Sequence, residues 1–200
     1  MARIFTLNHK YAWFFFLAAV IVLLTGKFND SFSQNFGNQA QALKAPQWEI
    51  SEWINTSGTN IDALRGKVVV IDFFQLWSPG CNKFTIPLIK QWQKTFAAEV
   101  KAGRLVFVSI HTVFEGHEYQ NLKRLKSFVK RKRITHPVGN DRHVNGDRIP
   151  STMRLYQTRG TPEIAIIDKE GYIRFQKFGY FEPAFGEKII RVLLSEPFAS

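Results

Sequence analysis

Only one cysteine, Cys81, occurs in the 200 residues, so any thiol chemistry here is done with one thiol or none. Acidic charge is also scarce: 16 Asp and Glu stand against 27 Lys and Arg, a formal net charge of +11. No segment repeats, which excludes solenoid and propeller architectures. No A-x-A-like pattern directly follows the N-terminal apolar run, where a signal peptidase needs small residues; that place reads TGKFND, and Ala40 to Ala42 lies too far downstream. Aromatic residues are not scarce. With 19 Phe the chain has ample material for a packed interior and does not read as disordered.

The N-terminus differs in composition from the rest. Arg3, His9 and Lys10 precede an unbroken apolar stretch from Tyr11 to Leu24, which Thr25, Gly26 and Lys27 close. The stretch is a little short for a bilayer, but Phe5 and Leu7 extend it by tilt and snorkelling, and Tyr11 and Trp13 suit an interface. The expectation is an uncleaved signal anchor over residues 1–27, embedded through residues 11–26, a polar tether over 28–44 and a folded domain over 45–200. Basic residues ahead of the span place the N-terminus in the cytoplasm and the domain across the inner membrane, in a bacterium the periplasm. The competing reading is a buried core helix.

From Ala45 onward strand and helix signals alternate, which predicts an α/β domain. Val68 to Phe74 reads as a buried central strand and Leu105 to Ile110 as a second. Pro79 to about Glu99 reads as a helix with Phe84, Leu88, Trp92 and Phe96 on its apolar face and a kink at Pro87. Tyr119 to Arg133 reads as an amphipathic helix, Glu163 to Ile167 and Tyr172 to Phe178 as a hairpin, and Gly186 to Leu194 as a closing helix.

Cys81 falls where the first strand gives way to the first helix, in the sequence WSPGC (Trp77 to Cys81). Ser78 is a favoured N-cap, Pro79 suits the first helical position, and Gly80 crowds nothing. Two effects then oppose at the thiol. The helix N-terminus favours a thiolate, whereas apolar burial raises the pKa. The plain alternative is that Ser78 only caps and Cys81 only packs.

Four segments, APQW, LRGKVVVIDFF, WSPGC and RGTPEIAIIDKEGYIR, in this order between Ala45 and about Leu194, resemble a TlpA-like redoxin (AhpC/TSA type) of the thioredoxin superfamily. The resemblance implies a thioredoxin-like fold, a central mixed sheet flanked by helices, with Trp77, Pro79 and Gly80 shaping the site. In that family the site reads Trp-Cys, two residues, Cys. Cys81 matches the second cysteine and Ser78 stands where the first would attack a substrate disulfide, so ordinary dithiol exchange is lost. Thr161 and Pro162 match the family's threonine and cis-proline, which present backbone groups to an extended substrate; otherwise Pro162 is simply a proline opening a strand. The loop after the second strand, HTVFEGHE from His111 to Glu118, lies near the cysteine site in such folds, so His111 is placed to stabilise or deprotonate Cys81.

His117, Glu115 and Glu118 match no zinc spacing, and neither a metal nor another cofactor is assigned. Lys123, Arg124, Lys126 and Lys130 to Arg133 make the 119–133 helix a candidate contact for an anionic lipid or an acidic partner, or merely a solvated basic face; nucleic acid is not expected beyond the cytoplasm. Three functions follow from these residues. The favoured one is a membrane-anchored extracytoplasmic oxidoreductase in which Cys81 exchanges with protein or small-molecule thiols and disulfides. The alternatives are a peroxiredoxin-like peroxidase, with Cys81 oxidised to a sulfenic acid and Ser78 hydrogen-bonding the thiolate or the peroxide, and a redox-inert binding protein that keeps the groove.

Overall fold

In the computed structural model, residues 43–198 are described. The expected N-terminal anchor and most of the expected tether lie outside them. Among the described residues no helix is long and apolar enough to cross a membrane.

Six strands form one mixed sheet in the order β1-β4-β3-β2-β5-β6. They are β1 (Ile50–Ile54), β2 (Val68–Phe74), β3 (Leu105–His111), β4 (Val138–Asp141), β5 (Glu163–Ile167) and β6 (Ile173–Phe178). β2 runs parallel to β3 and antiparallel to β5, and every one of its residues is buried. A strand apolar at all but one position needs cover on both faces, which is why VVVIDFF lies in the middle of the sheet. Alternation then sorts its side chains. Val69, Ile71 and Phe73 join a core with Trp48, Val108, Tyr156 and Ile167, while Phe74, on the opposite face, joins one with Cys81, Ile86, Leu125 and Phe128. Asp72 shares the face of Phe74.

The helix after β2 opens with a π-turn, Cys81–Thr85, and continues as α1 (Ile86–Thr95) and a short α2 (Ala97–Lys101). Pro87 has no N–H and its ring crowds the preceding turn, and the wider turn takes up the misfit, with the Ile86 N–H donating to the Cys81 carbonyl. The expected kink is therefore spread over the residues that carry the thiol. The basic helix α3 runs over Leu122–Lys132, capped by Asn121, whose side chain accepts from the Arg124 N–H at 3.1 Å. Tyr119 falls outside it, in a 3-10 turn over His117–Tyr119. A short α4 (Ser151–Leu155) and α5 (Pro183–Ser195) complete the domain, and α5 begins three residues before the start expected at Gly186 because Pro183 opens it. Strands β1 and β4 and helix α4 had no counterpart among the expected elements.

Candidate functional site

Cys81 sits in the first turn after β2 with no solvent exposure. Its backbone N–H donates to Ser78 Oγ at 3.3 Å, the geometry of an N-cap, and the Asn82 N–H continues the turn to the Ser78 carbonyl at 3.0 Å. Of the two opposing effects on the thiol, burial wins. It pushes the pKa up to about 11, with the charge of Asp72 adding to the rise, while the Ser78 side chain, the Gln75 backbone and the Thr161 side chain pull it back only in part. At neutral pH this is a thiol, not a thiolate.

The opposite wall is the loop before β5. The Thr161–Pro162 peptide bond is cis, and the Pro162 carbonyl accepts from the Gly179 N–H at 2.9 Å. This loop packs directly on the cysteine turn. A Cβ on Gly80 would come within 2.8 Å of Pro162 Cδ, so the third residue of SPGC has no room for a side chain. Ser78 is buried, whereas Trp77 projects outward with 55% of its surface exposed.

One site residue escaped the sequence reading. Asp72 is fully buried beneath the turn, and burial lifts its carboxyl to about 7 against the pull of Thr85 and Ser109. Its Oδ1 has no hydrogen-bond partner among the described residues. The signal was present in the sequence as a single acid inside VVVIDFF, since an unpaired carboxyl in a buried strand is costly and clusters with function. On the same side of the sheet Ser109 Oγ meets His136 Nε2 at 2.8 Å, and Gln93 Nε2 meets His136 Nδ1 at 3.1 Å. The Gln93 amide nitrogen can only donate, so Nδ1 accepts and Nε2 carries the proton. Burial holds His136 neutral, down to about 4, with Lys90 adding to the fall.

His111 is at the right end of the sheet, paired in register with Phe74, but its ring bonds elsewhere. Nδ1 meets Asn140 Oδ1 at 3.0 Å and Nε2 meets Gln120 Oε1 at 3.4 Å, and burial lowers its pKa. Gln120 Oε1 also accepts the Leu76 N–H at 3.0 Å while its Nε2 donates to the Glu115 carbonyl at 2.8 Å. His111 thus ties the 112–120 loop to the end of the sheet, and among the described residues its ring makes no hydrogen bond to the thiol. His117 lies against His143, ring centroids 5.2 Å apart, and among the described residues no three His, Cys, Asp or Glu side chains converge on a metal position.

Comparison with known proteins agrees with this geometry. The AhpC/TSA family matches residues 36–176. A thioredoxin-like superfamily protein of known crystal structure is 38% identical and superposes with a TM-score of 0.74 over 79% of this chain and all of that one. A thiol-disulfide isomerase from Corynebacterium glutamicum is 36% identical, with a TM-score of 0.69 over 76% of this chain and 98% of that one. Protein DipZ of Mycobacterium bovis is 29% identical over 153 residues, 74% of this chain but only 20% of DipZ, so the match spans about a fifth of that relative. By sequence and by fold the chain belongs to the AhpC/TSA family, on a thioredoxin-like scaffold.

Proposed function

We propose that the chain is a membrane-anchored, extracytoplasmic thiol-disulfide oxidoreductase that works with the single thiol of Cys81. The observation that carries this reading is the convergence of Cys81, its Ser78 cap, the Thr161–Pro162 loop and buried Asp72 on one end of the sheet. The similarity to a thiol-disulfide isomerase adds support for the class of chemistry. The anchored location rests on the apolar run Tyr11 to Leu24 and the basic residues ahead of it.

The exchange proceeds in two displacements. Ionised Asp72 takes the Cys81 proton, and the thiolate attacks one sulfur of a partner disulfide held against the Thr161–Pro162 loop. A bond forms between Cys81 Sγ and that sulfur, the partner's S–S bond breaks, and its other sulfur leaves as a thiolate that is protonated by solvent. An external thiolate then attacks the partner sulfur of the mixed disulfide, forms a new disulfide with it, and releases Cys81, which recovers its proton from Asp72. Electrons balance without a further oxidant: one external disulfide is reduced as another is formed. Because position 78 is serine, the mixed disulfide has no internal thiol to resolve it.

A second reading, a redox-silent groove, is favoured by the complete burial of Cys81. The peroxidase reading needs the Cys81 thiolate as the exchange does, so a thiol held at about 11 does not separate the two. To separate them, the folded protein is incubated with a small aromatic disulfide whose leaving thiolate is coloured, and separately with stoichiometric hydrogen peroxide plus a sulfenic-acid trap. Single-thiol exchange gives one coloured equivalent and a Cys81 adduct that excess thiol reverses. Sulfenic acid without the adduct identifies the peroxidase, and silence toward both leaves the redox-silent groove.

A further inference from the structure

Beside the cysteine turn lies a groove of about 390 Å³, with Trp77 and Tyr119 on its rim and Arg124, Ser127, Phe128 and Arg131 of α3 along its wall. The two arginines are held in place. Arg124 Nη1 donates to the Tyr119 carbonyl at 3.1 Å and its guanidinium lies 5.6 Å from the Tyr119 ring centroid, while that of Arg131 lies 5.5 Å from the Phe128 ring centroid. Among the described residues neither meets a carboxylate. The ion pair on this helix joins Lys126 to Glu52 at 3.1 Å, and α3 contains no acidic residue of its own.

We propose that this groove binds the carboxylates of an acidic polypeptide segment, flanking the sulfur that the partner brings to the Ser78–Cys81 turn. The placement of that sulfur rests on the single-thiol reading above; the carboxylate site does not. Arginine forks recognise carboxylates in pairs of parallel hydrogen bonds, and side chains already pinned by aromatic rings lose less freedom on binding. The groove is also joined to the redox turn, because Gln120, which lines it, accepts the Leu76 N–H at 3.0 Å. A polypeptide suits it better than a bilayer. Helical spacing puts Arg124, Ser127 and Arg131 together inside a concavity, whereas the adjacent face, with Lys123, Lys126 and Lys130, is the one a flat anionic surface would meet.

The test uses the full-length chain in neutral detergent and a fluorescein-labelled decapeptide with four Glu flanking a central Ser, so that no thiol chemistry enters. Fluorescence anisotropy should show the Glu peptide binding about tenfold or more tighter than its Gln counterpart, with the preference falling as salt rises. R124A/R131A should abolish the preference and Lys123→Ala/Lys130→Ala should keep it. Ser127→Glu, an exposed position, should abolish it independently by placing a like charge in the groove. Equal affinity of the native chain for both peptides, or binding unaffected in R124A/R131A and Ser127→Glu, overturns the proposal. So does binding of short-chain phosphatidylglycerol through the two arginines without binding of the Glu peptide, which makes the groove a lipid site. Because the peptide carries no sulfur, each of these failures leaves the Cys81 reading to its own labelling experiment.

Discussion

The Asp72 carboxyl and the Cys81 thiol are buried near enough that the charge of the first raises the pKa of the second. One stands toward the C-terminal end of a fully buried strand and the other in the turn that follows it, so neither is screened by water. The thiol therefore loses its proton with difficulty, and Asp72 is the group positioned to influence when it does.

The buried carboxyl gives the protein a pH signature. Asp72 ionises near 3.8 when unfolded and near 7 when folded, so across that interval the folded state holds more protons and stability falls as pH rises. His136 acts in the opposite direction. Held at about 4 against an ordinary 6.5, it contributes stability above 6.5 that is lost as pH falls toward 4. Asp72→Asn should accordingly raise stability at pH 8 by about 2–4 kcal/mol, have little effect near pH 4, and leave a profile that climbs between pH 4 and 6.5. Urea denaturation at a series of pH values checks this; an Asn variant no more stable than the native protein at pH 8 would show that burial does not raise the Asp72 carboxyl.

Ser78 is the place to restore a second thiol. Its Oγ lies 3.3 Å from the Cys81 backbone N–H, and residues three apart at a helix start meet disulfide geometry. Ser78→Cys should form an intramolecular disulfide under mild oxidation and reduce insulin when supplied with reductant, while Ser78→Ala should cost about 1 kcal/mol through the lost cap. Mass spectrometry of alkylated, non-reduced Ser78→Cys protein decides the first point. A folded variant that keeps two free thiols would contradict the match of Ser78 to the family's first cysteine position.

His111→Ala should leave the pH profile of Cys81 in place, because the ring bonds Asn140 and Gln120. It should instead destabilise the protein by about 1–3 kcal/mol by leaving Asn140 or Gln120 short of a partner in a buried setting. Thermal melts and thiol titration of the same sample separate the outcomes. A large shift in Cys81 reactivity would return His111 to the thiol.

The sequence made strands β2, β3, β5 and β6 legible because VVVIDFF, LVFVSI and the turn-linked pair Glu163 to Phe178 carry strong apolar runs. It hid β1 and β4, whose pairing sets Trp53 against Gly139 and Ile54 against Val138, because short segments such as VGND form strands only through their neighbours. At the site, SPGC and Thr161–Pro162 were visible as motifs. The state of the thiol was not, since it depends on how much water the folded turn excludes. Asp72 was readable in principle, as the lone charge in a buried run. The Arg124–Arg131 groove needed the 112–120 loop in place, which no local pattern in HTVFEGHE announces.

The proposed anchor is checked by fractionation. Full-length protein should stay in membranes through a carbonate wash, and a truncated chain beginning at Gln41 should be released in soluble form. A mature form cut near residue 26 would replace the anchor with a signal peptide.

The most direct measurement is the rate of Cys81 alkylation by iodoacetamide as a function of pH, in the native protein and in Asp72→Asn. The native protein should react slowly at neutral pH, with a rate still climbing above pH 9 toward an apparent pKa near 11, and the Asp72→Asn profile should be displaced to lower pH because the neighbouring charge is gone. A plateau below the pKa of a free thiol, or identical profiles for the two proteins, would contradict a buried thiol whose proton is governed by Asp72.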